Sequence, residues 1–225
     1  MRSPIKTISG GHLETKVFRK LGQSADAFES YQHPHAERIA AVSSEIGRAF
    51  NLGSKDLQSL RAAAFMHDLG EVKMDRDYLK RAGSLTDEEV IDLQRHPLIG
   101  EQEAAKSGGD RATQLIIRWH HEWWNGCGYP DALRREEIPL AARILRVVDS
   151  YMAVTDARPF RPGMTTEAAR THVAQWAGLE FDPGVVNVLL ALEGLPELES
   201  LAVAGAEIDS QETEEVWPLF SSFSR

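Results

Sequence analysis

Residues 54–70 read Ser54-Lys55-Asp56-Leu57-Gln58-Ser59-Leu60-Arg61-Ala62-Ala63-Ala64-Phe65-Met66-His67-Asp68-Leu69-Gly70, and this stretch decides the fold. Ser54 can cap a helix. Leu57, Leu60, Ala64 and His67 then follow at spacings of 3, 4 and 3, which puts His67 on the buried face. Gly70 is expected to end the run. Asp68 has no reason of its own to follow the apolar residues 62–66, because burying an unpaired carboxylate is costly. A contiguous nitrogen and oxygen ligand at the buried end of a helix is what a bound cation would require.

The helical pattern continues on both sides. Upstream, Pro34 suits a first-turn position, and Ile39, Ile46 and Phe50 form an apolar stripe up to Asn51. Downstream, residues 71–85 read as an irregular connection. Thr86 and Glu89 form a capping box, with Val90, Leu93 and Pro97 following and His96 near the end of that stretch. Leu115, Ile116 and Trp119 lead to His120 and His121. Two glycines and a proline exclude a helix over residues 125–130. Residues 138–156 form a strong helix with Ala141, Ile144, Leu145, Val148 and Met152 on one face and Asp149 beside it. Residues 166–177 and 182–193 give two more, the second capped by Asp182 with Pro183 at its first position. Nothing alternates with period two. The expectation is an all-α chain: an HD-like bundle of six or seven helices with extra helices at its C-terminal end. Residues 1–30 read as an N-terminal extension with a short helix over 13–21, residues 31–195 as the domain, and residues 196–225 as an acidic tail.

The chain has 225 residues, of which 42% are hydrophobic, enough for a core, and its formal charge is −9. Seven acids against Arg225 in residues 196–225 account for −6 of that charge. This balance argues against a nucleic-acid polymer as partner and leaves small nucleotides open. The lone Cys127 excludes an intrachain disulfide and points to a reducing compartment. No apolar run reaches the roughly 18 residues of a membrane helix and no signal peptide is evident, so no membrane contact is expected and the location is read as cytosolic.

His35, His67, Asp68, His96, His120, His121 and Asp149 fall where helices can turn toward one centre. One histidine on an apolar face is usually a hydrogen-bonded core residue. Together, the seven are too many ligands for one tetrahedral ion and suit two ions that share a carboxylate. His12, His33 and His172 do not fit the set.

The same residues resemble the HD-GYP domain, a bacterial subgroup of the HD metal-dependent phosphohydrolases. His35 to Ile39 resembles the segment with the family's first histidine. His67-Asp68-Leu69-Gly70 matches the HD motif and His96-Pro97-Leu98-Ile99-Gly100 matches HPxxG. His120-His121-Glu122 with Gly126-Cys127-Gly128-Tyr129-Pro130 matches HHE…GxGYP. Pro139-Leu140, Arg143-Ile144 and Asp149 match the following helix, Arg158-Pro159-Phe160-Arg161 resembles RPYR, and Phe181-Asp182-Pro183 resembles FDP. The resemblance implies one metal held by His35, His67, Asp68 and Asp149. It implies a second held by His96, His120 and His121, with Asp68 bridging and central to catalysis; iron or manganese is the family habit. It also implies hydrolysis of cyclic di-GMP to pGpG or GMP, with Arg158 and Arg161 binding phosphate. Gly126, Gly128, Tyr129 and Pro130 would form a loop that contacts a GGDEF-domain partner or shapes the pocket rim. Two divalent cations would supply an activated water and offset phosphoryl charge.

The chain departs from the pattern at three places. Some members hold a third metal with a glutamate four residues before the first histidine; Tyr31 stands there, so two metals are expected. Met152 occupies the position of a usual second aspartate. Glu71 replaces the lysine of HDxGK, which at about 5 Å from an anion and an effective dielectric near 20 is unfavourable by roughly 3 kcal/mol. Lys73, two residues on, is the candidate replacement cation. Glu71 also keeps two alternatives open: a module that binds metal and nucleotide and signals by protein contact with weakened catalysis, and a phosphohydrolase for another nucleotide.

Overall fold

The computed structural model describes residues 10–80, 83–157 and 162–192. Within them lie ten α-helices and two short 3-10 turns, with a single isolated bridge between Ala177 and Phe181 in place of any sheet. The helices are α1 (Gly10–Phe28), α2 (His35–Ala49), α3 (Ser54–Met66), α4 (Leu69–Met74), α5 (Asp87–Leu93), α6 (His96–Lys106), α7 (Arg111–Trp119), α8 (Leu140–Thr155), α9 (Thr166–Gln175) and α10 (Pro183–Ala191). The chain is all-α as expected. The number of helices exceeds the expected six or seven because several stretches break in the middle.

Helix α3 is central, packed by α1, α2 and α7, while α8 closes the bundle against α2. Leu60, Ala63, Ala64 and Met66 are fully buried and meet Ile39, Val42 and Ile46 of α2 and Ile144, Leu145 and Val148 of α8 in one core. Local signals hold where expected. Thr86 and Glu89 form the capping box of α5. Asp182 accepts from the Gly184 amide to cap α10, with Pro183 in its first turn. The N-cap of α3 is Gly53 and not Ser54.

Three further expectations are corrected. The N-terminal extension is in part a core element: Phe18 and Leu21 of α1 are buried in the same core. α1 approaches so closely that a Cβ on Gly22 would sit 2.8 Å from the Phe65 carbonyl oxygen. Asp26, just before the end of α1, accepts the Ala36 amide at 3.1 Å at the start of α2. The domain therefore extends upstream of residue 31. His96 does not close the α5 stretch but opens α6, because Pro97 fits a first turn; α5 itself has no buried residue.

The third correction concerns Gly70, which does not stop a helix. The chain bends at Asp68 and resumes as α4, so residues 71–74 are helical and not an irregular connection. Gly70 is there for close approach. A Cβ on it would lie 2.0 Å from the His96 carbonyl oxygen and 2.9 Å from the Gly100 amide. Gly100 faces back, its missing Cβ 3.0 Å from Ile117 and 3.6 Å from the Gly70 amide. The glycines of the two motifs thus let α4 and α6 touch backbone to backbone. The blocking atoms are main chain and cannot rotate away. Gly70→Ala should therefore destabilise by about 1–3 kcal/mol, despite alanine's helix propensity advantage of about 1 kcal/mol. Denaturant unfolding checks this; an unchanged or raised midpoint would contradict the close crossing.

Candidate metal centre

The five histidines and two aspartates come together at helix ends. His35 is the first residue of α2, and His67 follows α3 with Asp68 starting the turn into α4. His96 is the first residue of α6, and His120 and His121 follow α7. Only Asp149 is mid-helix, on α8. Helix ends are where the chain changes direction, so neighbours such as His67 and Asp68 or His120 and His121 can converge, which they could not do within one regular helix. His35, His67 and Asp149 form one group whose ligand atoms lie within 4.8 Å of one another. His96, His120 and His121 form a second, and Asp68, Glu71 and His96 a third that shares His96 with the second. Asp68 stands between the first two groups, 2.8 Å from His67 Nε2 through Oδ2 and 3.8 Å from His96 Nε2 through Oδ1.

The outward ring nitrogens show what the inward ones can do. His67 Nδ1 lies 3.0 Å from the Ala64 carbonyl oxygen, His96 Nδ1 2.8 Å from that of Leu93, and His120 Nδ1 2.6 Å from that of Ile117. His35 Nδ1 lies 2.8 Å from Asp156 Oδ2. Carbonyl and carboxylate oxygens only accept, so each Nδ1 carries the proton and each Nε2 turns a lone pair inward. This is the support that metal-ligating histidines ordinarily have. His67 Nε2 thus faces the Asp68 carboxylate at 2.8 Å, and His35 Nε2 faces Asp149 Oδ1 at 3.5 Å. Both Nε2 atoms are buried without a hydrogen-bond partner. Lone pairs that face carboxylates in a dry interior repel unless a cation lies between them. The donor set fits divalent transition metals.

Without a metal, protons can take that role in part. Burial alone would lower the pKa values of His35 and His67, but hydrogen bonds and charge from Asp149, Asp156 and Asp68 outweigh it and raise both, that of His67 well above the usual imidazole range. Burial would raise Asp68 and Asp149, and the facing imidazoles outweigh it and hold both carboxyls below the usual range. The second group differs. Burial first, then the neighbouring imidazoles His96 and His67, push His120 down to about 3. Burial also lowers His96, and together with His120 and Arg146 it brings His121 well below its ordinary value.

His121 is tied differently from the other four. Arg146 Nη1 lies 2.8 Å from its Nδ1. A guanidinium only donates, so this Nδ1 accepts and the proton of the neutral ring sits on Nε2. A cation bound through His121 must displace either that proton or the guanidinium. The GYP loop holds the ring from its other side: Tyr129 stacks on it at 4.9 Å, and the Tyr129 amide donates to the His121 carbonyl. Gly126 takes a left-handed φ of +86°, and a Cβ on Gly128 would lie 2.2 Å from the Trp123 amide nitrogen. Glu122 accepts the Asp131 amide at 2.7 Å and so shapes this loop. Cys127 is exposed at the tip.

A cavity of about 360 Å³ adjoins the cluster, lined in part by Tyr31, Asp68, Glu71, Tyr78, His121, Arg146 and Asp149. Glu71 faces it, with Oε1 4.0 Å from His96 Nδ1. Lys73 is exposed and not among the lining residues; two residues from Glu71 on one helix, it points to the other side. The structure does not bring Lys73 to the site. Tyr31 stacks on His35 at 3.9 Å. Arg158 and Arg161, with Pro159 and Phe160, lie outside the described residues, as does the acidic tail.

Sequence reading missed Asp156, which holds both His35 and the Arg38 guanidinium. It also missed Arg146. The available signal was spacing along α8 and its C-cap: Arg146 and Asp149 share a helix face that looks toward the site, and Asp156 follows seven residues on at the cap. Met152 on that helix accepts from Arg38 through its sulfur.

The chain belongs to the HD domain family, whose model matches residues 25–185. The order of its HD, HPxxG, HHE and GYP elements is that of the HD-GYP subgroup. It is 32% identical over 191 residues to the cyclic di-GMP phosphodiesterase response regulator RpfG of Xanthomonas campestris pv. campestris, covering 84% of this chain and 50% of that protein. It is 30% identical over 182 residues to 3'3'-cGAMP-specific phosphodiesterase 3 of Vibrio cholerae, covering 80% of this chain and 40% of that protein. A solved structure of a cyclic GMP-AMP specific phosphodiesterase from Vibrio cholerae superposes with a TM-score of 0.66 at 21% identity, over 90% of this chain and 53% of that one, which establishes the shared fold. The chain thus spans half or less of the length of the two curated relatives. Among the described residues no helix is long and apolar enough to cross a membrane.

Two outcomes follow from this geometry. The raised pKa values of His35 and His67 mean that a cation entering their group releases protons, so metal affinity falls as pH is lowered. In the metal-free protein the same pairing contributes stability that is fully present below the ordinary imidazole pKa and lost as pH rises through the raised folded values. Titrating metal in buffers of different ionisation enthalpy checks this; binding without proton release would contradict the pairing. Asp156→Asn should weaken metal binding roughly 10- to 100-fold with the fold intact by circular dichroism. Unchanged affinity would remove Asp156 from the support of His35.

Proposed function

We propose that this chain is a two-cation phosphodiesterase that cleaves a cyclic dinucleotide, cyclic di-GMP first among them, to pGpG or GMP. One observation carries the reading: His67 Nε2 and the Asp68 carboxylate face each other at 2.8 Å inside a buried ring of histidines, an arrangement that calls for a positive charge, and the neighbouring histidines and Asp149 supply the donors of a metal site. The names of the relatives support the substrate class. His35, His67 and Asp149 would hold one cation and His96, His120 and His121 the other, with Asp68 shared. Iron or manganese is proposed. Bound there, two cations would activate water at neutral pH and offset charge on the phosphoryl oxygens. The protein's own residues do the rest. Carbonyls and Asp156 fix the imidazole tautomers, the apolar core around α3 and α8 keeps water from the buried side, and the cavity admits the phosphodiester from the open side. Arg158 and Arg161 remain proposed phosphate contacts. The GYP loop remains the proposed surface for a GGDEF-domain partner through its exposed residues Asn125 and Cys127, since Tyr129 stacks inward on His121.

Glu71 favours a second reading, a module that binds metal and nucleotide with weakened turnover. Its carboxylate lines the cavity where the motif has a cation. Anaerobically purified protein supplied with iron or manganese should convert cyclic di-GMP to linear product detectable by chromatography. 3'3'-cGAMP serves as the competing substrate, and Glu71→Lys should raise turnover. Tight binding without product in the wild type supports the signalling module. Conversion of 3'3'-cGAMP alone would transfer the substrate assignment, and neither binding nor conversion of either nucleotide would reject both readings.

A further inference from the structure

The cavity to which the proposed function assigns a phosphodiester is itself strongly acidic. Of its described lining residues, Glu29, Asp68, Glu71 and Asp149 are carboxylates, and Arg146 alone is a lysine or arginine. Two divalent cations would neutralise the four acids and leave Arg146 as the one organic cation among the described lining residues. The motif position that carries a lysine elsewhere carries Glu71 here, and Lys73 points away. The cavity therefore has one described candidate for the missing positive charge, and it comes from the opposite wall.

Arg146 is held for such a task. It stands one turn before Asp149 on α8, with Nη1 2.8 Å from His121 Nδ1 and 3.9 Å from Asp149 Oδ2. Nη2 donates to Glu180. Its side chain is 14% exposed, and Nε is buried without a hydrogen-bond partner. A guanidinium fixed at two corners is pre-organised, each Nη keeps a second N–H, and its planar fork matches the oxygens of a phosphate. Its flexible, hydrated counterpart lysine would be less well fixed at this distance from the helix.

We propose that Arg146 is a phosphate-contacting cation of this site, taking over from α8 the charge that the HD motif lacks at Glu71. The inference rests on the phosphodiesterase reading but needs only a phosphate or phosphodiester anion, whatever nucleoside carries it. The competing account is structural: Arg146 could merely tie α8 to Glu180. Glu180→Gln breaks that ion pair and keeps the cation, and the metal content of Arg146→Ala reads whether Arg146 acts instead by holding His121.

The test compares metal-loaded wild type, Arg146→Ala, Arg146→Lys and Glu180→Gln for melting temperature, metal content, calorimetric affinity for inorganic phosphate, and kcat and KM for cyclic di-GMP. Arg146→Ala should weaken phosphate binding and raise KM by roughly 10- to 100-fold, with Arg146→Lys recovering only part of the loss and Glu180→Gln staying within about twofold of wild type. Phosphate affinity in Arg146→Ala within about twofold of wild type, an equal loss in Glu180→Gln, or a wild type that binds no phosphate would each overturn the proposal. A wild type that binds phosphate through Arg146 but turns over no cyclic dinucleotide keeps this inference and rejects the phosphodiesterase reading. Turnover of cyclic di-GMP unchanged by Arg146→Ala does the reverse.

Discussion

Two carboxylates and four imidazole lone pairs are enclosed together in an apolar interior, and the rest of the architecture follows from that constraint. Asp68 and Asp149 are both 9% exposed, and His35, His67, His96 and His120 are at most 3% exposed. In such a place each unpaired polar group costs free energy, and a buried charge without a partner costs more. The cluster is tolerable because the outward Nδ1 atoms are all spent on carbonyls or Asp156, so that every remaining unsatisfied atom points to one small volume. Structural ion pairs elsewhere in the protein, such as Arg143 with Asp182, join a donor to an acceptor directly. In the cluster, with the imidazoles neutral, acceptor faces acceptor. That difference separates a binding centre from a folding device.

Bringing these atoms together needs backbones closer than ordinary helix packing allows. Gly70 and Gly100 provide this where α4 crosses α6, and so bring Asp68 within 3.8 Å of His96. Gly128 does the same in the loop that presents Tyr129 to His121. The motif glycines thus act as spacers for the motif ligands, which is why ligand and glycine recur together along the chain.

Much of this was legible in the sequence, and the illegible part has a physical pattern. The capping box at Thr86 and the Asp182–Pro183 start of α10 are local events, settled within one helical turn, and both stand as expected. The seven clustered residues were visible as motifs. Gly70 was misread because a glycine after a helical run usually marks an end, and only the facing backbone of α6, 26 residues away in sequence at His96, shows its use. Asp156 and Arg146 were missed because their partners His35 and His121 lie 121 and 25 residues away. Long-range partners leave no local trace beyond helical spacing.

Glu71 acquires a different meaning from the one its motif position suggests. It lies within ligand range of Asp68 and His96, and a guanidinium from α8 faces the same cavity. The charge inventory of the site is thus rearranged around the cluster, while the cluster itself keeps its ligands. The central claim is that the cluster holds metal with Asp68 shared, and metal content measured by mass spectrometry on anaerobically purified wild type and Asp68→Ala tests it most directly. The account predicts about two equivalents per chain in the wild type and nearly none in the variant. Fewer than about one equivalent in the wild type under every loading condition, or a variant that keeps the full complement, would contradict it.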